Sequence, residues 1–505
     1  MLESILVFIS PRASRSCTAS RDTVSVIRIL LLGLVASVLL MQPSAAQPGE
    51  GRSPRFNGAL NAIVKRSVPQ DCQISMQVVD VDSGEILMEK NPGLALVPAS
   101  TLKVLTSAAA LQVLGPEYTF TTEVLADDMQ GASVGNLFLR GRGDPYLVTE
   151  ELFVLTRGVK DLGLVEVRGN IIVDDSYFLP GKPLDENEEL GPRAYHAPYS
   201  ALSLNFNSLK LVLLPTLPGK PAKVLTDPIS EYGTVENEVR TVKGDLPAKV
   251  EITKKPGAHG RDIIHVQGEI GASAQPWRRY VNVSTPALYT GEVFKEFLLR
   301  EGIKIGGRVL LGRAPESAHK IHEFNSRPLG LIVYGLNKFS NNFIAEQLCL
   351  AMGATVAGPP GTREKGLSVI RRFVEQCGVD TKGLRLSEAS GLSRQNRVSA
   401  AVLVRVLLKT FTEFTYGPEF MASLSVAGVD GTLKDKFTAQ ELRGRLRAKT
   451  GNLRGVNALA GYGLSQEGRL FAFACLVNST QEKPAFINHS EKLMRAVLEL
   501  PLPHR

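Results

Sequence analysis

Residues 100–114 read Ser-Thr-Leu-Lys-Val-Leu-Thr-Ser-Ala-Ala-Ala-Leu-Gln-Val-Leu, with Pro98 just before the run and Gly115 closing it. A run free of internal Gly and Pro, bounded in this way, predicts a helix. Ser100 and Lys103 are three apart and share one helix face. The lysine amine can then hydrogen-bond the serine hydroxyl and accept its proton. The helix start adds backbone N–H groups and the positive end of the dipole beside Ser100. Alone the pair carries little weight, because Ser-x-x-Lys recurs by chance and a serine here is also a good helix cap.

Two further motifs give it weight. Ser340-Asn341-Asn342 stands at the head of a helix predicted over 342–352. Lys449-Thr450-Gly451 ends a basic stretch and precedes an alternating run at 456–464. The ordered trio Ser-x-x-Lys, Ser-x-Asn, Lys-Thr-Gly is the signature of penicillin-binding proteins and serine β-lactamases, and its order is far less frequent by chance than any member.

Outward from the trio, residues 74–90 alternate around Asp82-Ser83-Gly84 and predict a β-hairpin. Residues 119–280 are dominated by short β-like runs with one helical stretch near 148–161. Helical patterns return at 291–302, 363–377 and 399–413, and the chain closes with alternating runs at 456–464 and 469–477 and a helix at 485–499. The pattern predicts an α/β (α+β) fold, an antiparallel sheet with helices on both faces, interrupted by a large β-rich insertion. The expected division is 1–46 signal peptide, 47–115 first part, 116–279 insertion of one or two small modules, and 280–505 second part.

The chain resembles the D-alanyl-D-alanine carboxypeptidase/endopeptidase family of the penicillin-binding protein 4 type, the S13 peptidases, over roughly residues 55–495. Beside the trio, the resemblance rests on Gly143-Asp144-Pro145, Asp174-Asp175-Ser176-Tyr177-Phe178, Ser200-Ala201-Leu202-Ser203-Leu204-Asn205, Ser390-Gly391-Leu392-Ser393-Arg394 and Ala427-Gly428-Val429-Asp430-Gly431-Thr432-Leu433. It implies a transpeptidase-like domain and acyl transfer from a D-Ala-D-Ala or D-Ala-diaminopimelate bond to water. Ser100 is the expected nucleophile and Lys103 the expected base, its pKa depressed by burial and by the charge of Lys449. Ser340 and Asn342 are expected to relay the proton and hold the substrate amide. Lys449, Thr450 and Gly451 would meet the terminal carboxylate end of the substrate, and the N–H groups of Ser100 and Asn452 would form the oxyanion hole. The resemblance adds Arg394 and Asp174 as contacts to a diaminopimelate side chain. Two positions depart from the family pattern: Glu388-Ala389 replaces the usual Asp-Gly before Ser390, and Asn341 replaces an acidic residue. A serine β-lactamase and a non-catalytic peptidoglycan scaffold are the alternative readings.

Compartment and partners follow from the rest of the chain. Ile29–Met41 is an apolar run of 13 residues preceded by Arg21 and Arg28 and followed by Ser44-Ala45-Ala46. That is short of the ~20 residues a membrane span needs and suits a signal peptide cleaved after Ala46, so an exported, periplasmic protein without a transmembrane span in its mature chain is expected. Four cysteines remain after cleavage (Cys72, Cys349, Cys377 and Cys475), with three pairings open and free thiols equally compatible. No metal and no cofactor are expected, since the seven histidines form no ligand-spaced cluster. The net charge of +8 is spread thinly, so no nucleic-acid partner is expected; peptidoglycan stem peptides, and β-lactam antibiotics as covalent inhibitors, are. Gly358 to Lys365 begins like a phosphate loop but lacks its Gly-Lys-Ser/Thr ending, and Thr362 reads better as a helix cap. Arg443, Arg445, Arg447 and Lys449 are spaced by two, so a strand over 443–451 would place all four on one face.

Overall fold

The computed structural model describes residues 71–179, 197–479 and 489–499, with a few helical positions between 58 and 65. The expected signal segment and its cleavage point lie outside the described residues. The hairpin forms as β1 (Cys72–Asp80) and β2 (Ile86–Lys90). They belong to a six-stranded antiparallel sheet with β3 (Ser425–Val426), β4 (Leu446–Leu453), β5 (Val456–Leu464) and β6 (Leu470–Ser479), in the order β3-β4-β5-β6-β1-β2.

Alternation along β5 and β6 explains how both faces are covered. Ala458, Ala460, Tyr462, Ala472, Ala474 and Leu476 face one cluster, which holds α1 (Lys103–Leu114), α2 (Leu329–Phe339), α3 (Asn342–Ala357), α4 (Arg363–Gln376) and α5 (Ala400–Thr412). The intervening Leu459, Phe471, Phe473, Cys475 and Val477 face the other, with Leu493, Met494 and Val497 of the C-terminal helix His489–Glu499. Alanines on the first face let the helical layer approach closely. α1 is enclosed by α2, α3, α4 and α5, so every residue from Lys103 to Leu111 is buried. A helix apolar on all sides belongs in a core; the one charge in this helix, Lys103, is buried with it.

The inserted elements start with the strand Thr121–Ala126, which pairs antiparallel with His319–Asn325. These entry and exit strands join Leu137–Gly141, Ile171–Asp174 and Val309–Leu311 in a five-stranded sheet. The expected boundary at 279 is therefore corrected: the chain returns to the first layer only after Asn325. The helix Pro286–Arg300, assigned from sequence to the second part, buries Ala287, Tyr289, Val293, Phe294 and Leu298 in the same cluster as Val173, Leu209 and Val281. Small three-stranded sheets complete the insertion, two of them Gly233–Val242 with Asp262–Gly271 and Lys249–Pro256, and Ser208–Leu214 with Lys223–Asp227 and Trp277–Asn282. Thr362 caps α4 by accepting from the Lys365 N–H at 3.3 Å, as read from the sequence. The four cysteines are free thiols.

Phe473 is fully buried beneath the C-terminal helix. Phe473→Ala is expected to cost about 3–5 kcal/mol, the range for emptying such a site, read as a lower midpoint in denaturant unfolding.

Candidate active site

The chain enters the site through a 3₁₀ turn, Ala99–Leu102, and the α-helix begins only at Lys103. The tighter turn is a small correction to the predicted helix start, and it leaves Ser100 ahead of the helix. Ala99 has φ 47°, a left-handed conformation that costs a residue with a Cβ about 1–3 kcal/mol. Two glycines enclose the turn. Gly391, at φ 86°, lies so close that a Cβ would collide with the Ala99 carbonyl. On the sheet side, a Cβ on Gly451 would sit 2.7 Å from the Pro98 oxygen and 3.1 Å from the Ser100 nitrogen. The Lys-Thr-Gly strand and the Ser390-Gly391 loop thus meet the Ser100 turn backbone to backbone.

Lys103 Nζ donates to Ser100 Oγ at 3.0 Å, to Asn342 Oδ1 at 2.7 Å and to the Ser390 carbonyl. Burial lowers its pKa to about 8, while the negative charge held between the neighbouring Glu388 and Glu346 carboxyl groups acts in the opposite direction. Lys449 Nζ donates to Ser340 Oγ at 2.8 Å and to its neighbour's carbonyl, Thr450 O, at 2.8 Å. Its pKa is driven well below the ordinary lysine range, first by burial and then by the charge of Lys103. The charges of Lys103 and Lys449 disfavour one another mutually; burial is the larger cause at both amines, and at Lys103 two carboxyl groups oppose it.

Ser340 ends α2 in a left-handed conformation, φ 56°, and one residue, Asn341, separates it from α3. Asn341 Oδ1 accepts from the Ile344 N–H at 3.1 Å, so the unusual amide caps the helix as an acid would. Asn342 follows as the first residue of α3 with its carbonyl on Lys103. A cleft of about 600 Å³ opens along Ser340, Asn341, Asn342 and Phe343 toward Tyr199 and Phe206.

The structure gathers Ser100, Lys103, Asn342, Ser340, Lys449, Thr450 and Gly451 through these contacts. Asn452 lies next along β4, its side chain held across the hairpin by Asn457 Nδ2 at 2.7 Å. Arg394 is exposed and donates to the Arg454 carbonyl. Asp174 is not placed for substrate contact: it is 1% exposed, and its oxygens accept from Ser176 N at 3.0 Å and Ala314 N at 2.9 Å. It braces the turn that follows its strand. The stripe of four basic residues also fails, since β4 begins at Leu446; Arg445 donates to the Glu441 and Ser465 carbonyls.

Sequence reasoning missed the groups behind the site. Thr450 Oγ1 donates to Thr432 Oγ1 at 2.8 Å, and Lys338 binds the Asp430 carboxylate at 2.7 and 2.8 Å, tying the 430–432 turn to α2. Ser390 holds Lys103, and buried Glu346 and Glu388 hold Ser390. Glu346 had one legible signal, an acid inside the apolar run of α3. A serine hydroxyl on a buried lysine, at the edge of an antiparallel sheet with helices on both faces, defines the class of serine acyl-transfer enzymes with the transpeptidase fold.

Comparison with known proteins narrows that class. The chain belongs to the D-Ala-D-Ala carboxypeptidase 3 (S13) family, whose model matches residues 57–497. It is 34% identical over 493 residues to the D-alanyl-D-alanine carboxypeptidase of Actinomadura sp. (strain R39), covering 94% of this chain and 90% of that one. To the D-alanyl-D-alanine carboxypeptidase DacB of Haemophilus influenzae it is 25% identical, covering 84% and 89%. The crystal structure of penicillin binding protein 4 from Haemophilus influenzae shares the fold, with a TM-score of 0.74 at 22% identity over 87% of this chain and 98% of that one.

Gly451→Ala is expected to push the Ser100 turn from its place while leaving the sheet intact. A displacement near 1 Å costs about a hundredfold in rate, so acylation of Ser100 by a β-lactam should slow by about that factor with little change in unfolding midpoint.

Proposed function

We propose that this chain is a penicillin-binding serine D-Ala-D-Ala carboxypeptidase/endopeptidase that cleaves peptidoglycan stem peptides through an acyl-enzyme. One observation carries the reading: the three partners of the Lys103 amine. Two of them, Asn342 Oδ1 and the Ser390 carbonyl, can only accept hydrogen bonds, whereas Ser100 can donate. A neutral amine therefore gives its two hydrogens to the carbonyls and turns its lone pair to the Ser100 hydroxyl. Burial, by lowering the pKa to about 8, makes that neutral form accessible near neutral pH.

The steps follow from this arrangement. Ser100 passes its proton to Lys103 as Oγ attacks the carbonyl carbon of the D-Ala residue. The N–H groups of Ser100 and Asn452 receive the negative charge that develops on the carbonyl oxygen. The C–N bond then breaks, and the proton taken from Ser100 leaves on the departing amine. Ser340, backed by Lys449 at 2.8 Å, hands it on. Water attacks the ester, Lys103 takes its proton, and the serine regains its hydrogen as the acid is released. Asn342 steadies the substrate amide. Thr450 and Lys449 meet the terminal carboxylate, whose charge favours the ammonium form of Lys449 on binding. Arg394, exposed in the loop that follows Ser390, is the residue we assign to a second carboxylate on the stem peptide. The reading implies export to the periplasm; among the described residues no helix is long and apolar enough to cross a membrane. β-Lactams act here as covalent inhibitors, with their strained amide in place of the scissile bond.

Incubation of the mature protein with a fluorescent penicillin should label wild type, and Ser100→Ala should lose the label. Equal labelling of both would place the nucleophile elsewhere. Digestion of purified peptidoglycan fragments, followed by mass spectrometry, should show loss of one alanine for carboxypeptidase and conversion of cross-linked dimers to monomers for endopeptidase.

A further inference from the structure

Behind Lys103 two glutamates are packed out of water: Glu346 on α3 is 2% exposed and Glu388, in the loop before Ser390, is fully buried. Their carboxyl groups lie side by side: one Ser390 N–H reaches both, at 2.8 Å to Glu346 and 2.9 Å to Glu388. A bond between carboxyl groups so placed needs a proton, because two ionised carboxylates have only acceptors to offer. The remaining contacts are divided unequally. Glu388 accepts from the Ser390 N–H at 2.9 Å, the Gly391 N–H at 2.6 Å, the Ser390 hydroxyl and the Asn396 amide. Glu346 accepts from the N–H groups of Ala389 and Ser390, both at 2.8 Å. Every one of these donors but the Asn396 amide belongs to residues 389–391, the segment whose Ser390 carbonyl holds the Lys103 amine and whose Gly391 lies against the Ser100 turn.

We propose that Glu346 and Glu388, carrying one negative charge and one proton between them, form a positioning pair for Lys103. They lock the 388–391 turn that grips the amine, and they supply its buried counter-charge. The proton rests on Glu346, where burial and the neighbouring Glu388 charge push the pKa up against the opposing charge of Arg363. The charge rests on Glu388, where burial opposes ionisation but the bonds from Glu346 and Ser390, the Lys103 charge and the Gly391 N–H outweigh it. Other groups face the cluster from each side. Arg363 of α4 lies 3.7 Å from Glu346, and Lys449 of β4 is coupled to Lys103. Tyr199 and Cys349 have pKa values raised well above their ordinary range by burial and by the pair, and stay neutral. The longer Glu388, where the family usually has Asp, reaches the Glu346 carboxyl and makes this shared proton possible.

The test is the titration of the Lys103 amine itself, which does not depend on the proposed catalytic role; failure of that role would appear separately as penicillin labelling of Ser100→Ala. In full-length protein carrying ¹³C-lysine, the Lys103 signal is assigned by its loss in Lys103→Arg. Glu346→Gln replaces a neutral donor with a neutral donor, so the Lys103 midpoint should stay within about 0.3 units of wild type. Glu346→Gln/Glu388→Gln removes the charge and should lower the midpoint by at least about one unit, a tenfold loss of proton affinity. An unchanged midpoint in the folded double variant overturns the proposal. So does a shift of a unit or more in Glu346→Gln alone, a result that stands even if the double variant does not fold.

Discussion

Burying two lysine amines side by side is the constraint on which this molecule depends. Lys103 and Lys449 are both fully buried, and two ammonium ions there would face desolvation and mutual repulsion together. The one carboxylate charge held on the Glu346–Glu388 pair can balance one of them. The fold therefore drives the Lys449 pKa well below the ordinary lysine range and leaves Lys103 near the midpoint of its titration at mildly alkaline pH. An amine in that state can both take a proton from a serine hydroxyl and give it back, which a fully solvated lysine near pKa 10.4 does poorly at neutral pH.

The same constraint explains why the surrounding packing is tight. A neutral amine acts as a base only if its lone pair points at the right hydroxyl, and that direction is set by where its two hydrogens go. Asn342 on α3 fixes one and the Ser390 carbonyl fixes the other. Both supports rest on the buried helical layer, which comes close because β5 and β6 present alanines to it. Gly391 and Gly451 then bring two separate segments against the Ser100 turn at distances that a side chain would not allow. The insertion closes on itself, its entry strand paired with its exit strand, so some two hundred residues are added between Ser100 and Ser340 without opening this arrangement.

The sequence made the local and periodic features legible. The β1–β2 hairpin, α1, the alternation of β5 and β6 and the ordered trio were all readable, since each depends on spacing within a short segment. What could not be read depended on long-range pairing. The helix Pro286–Arg300 carries an ordinary amphipathic pattern that does not say which core it joins, and only the pairing of Thr121–Ala126 with His319–Asn325 settles it. Asp174 looked like a ligand because it is acidic within a motif, yet backbone N–H groups from residues 176 and 314 take its oxygens. Arg445 belonged to a series spaced by two that ends at Lys449, but the strand had not yet begun. Glu388 was visible only as a departure from the family pattern, and its meaning needed Glu346, 42 residues away in sequence, beside it.

The central claim is that neutral Lys103 accepts the Ser100 proton. Its most direct test is the pH dependence of the second-order rate constant for acylation of Ser100 by a penicillin. Only the neutral amine is a base, and burial has lowered its pKa from 10.5 to about 8, so its active fraction grows as pH rises toward that value. The account predicts a rate rising about tenfold per pH unit on the acid side and levelling near pH 8. A flat profile through that range, or a rise that continues to the ordinary lysine value, would contradict it.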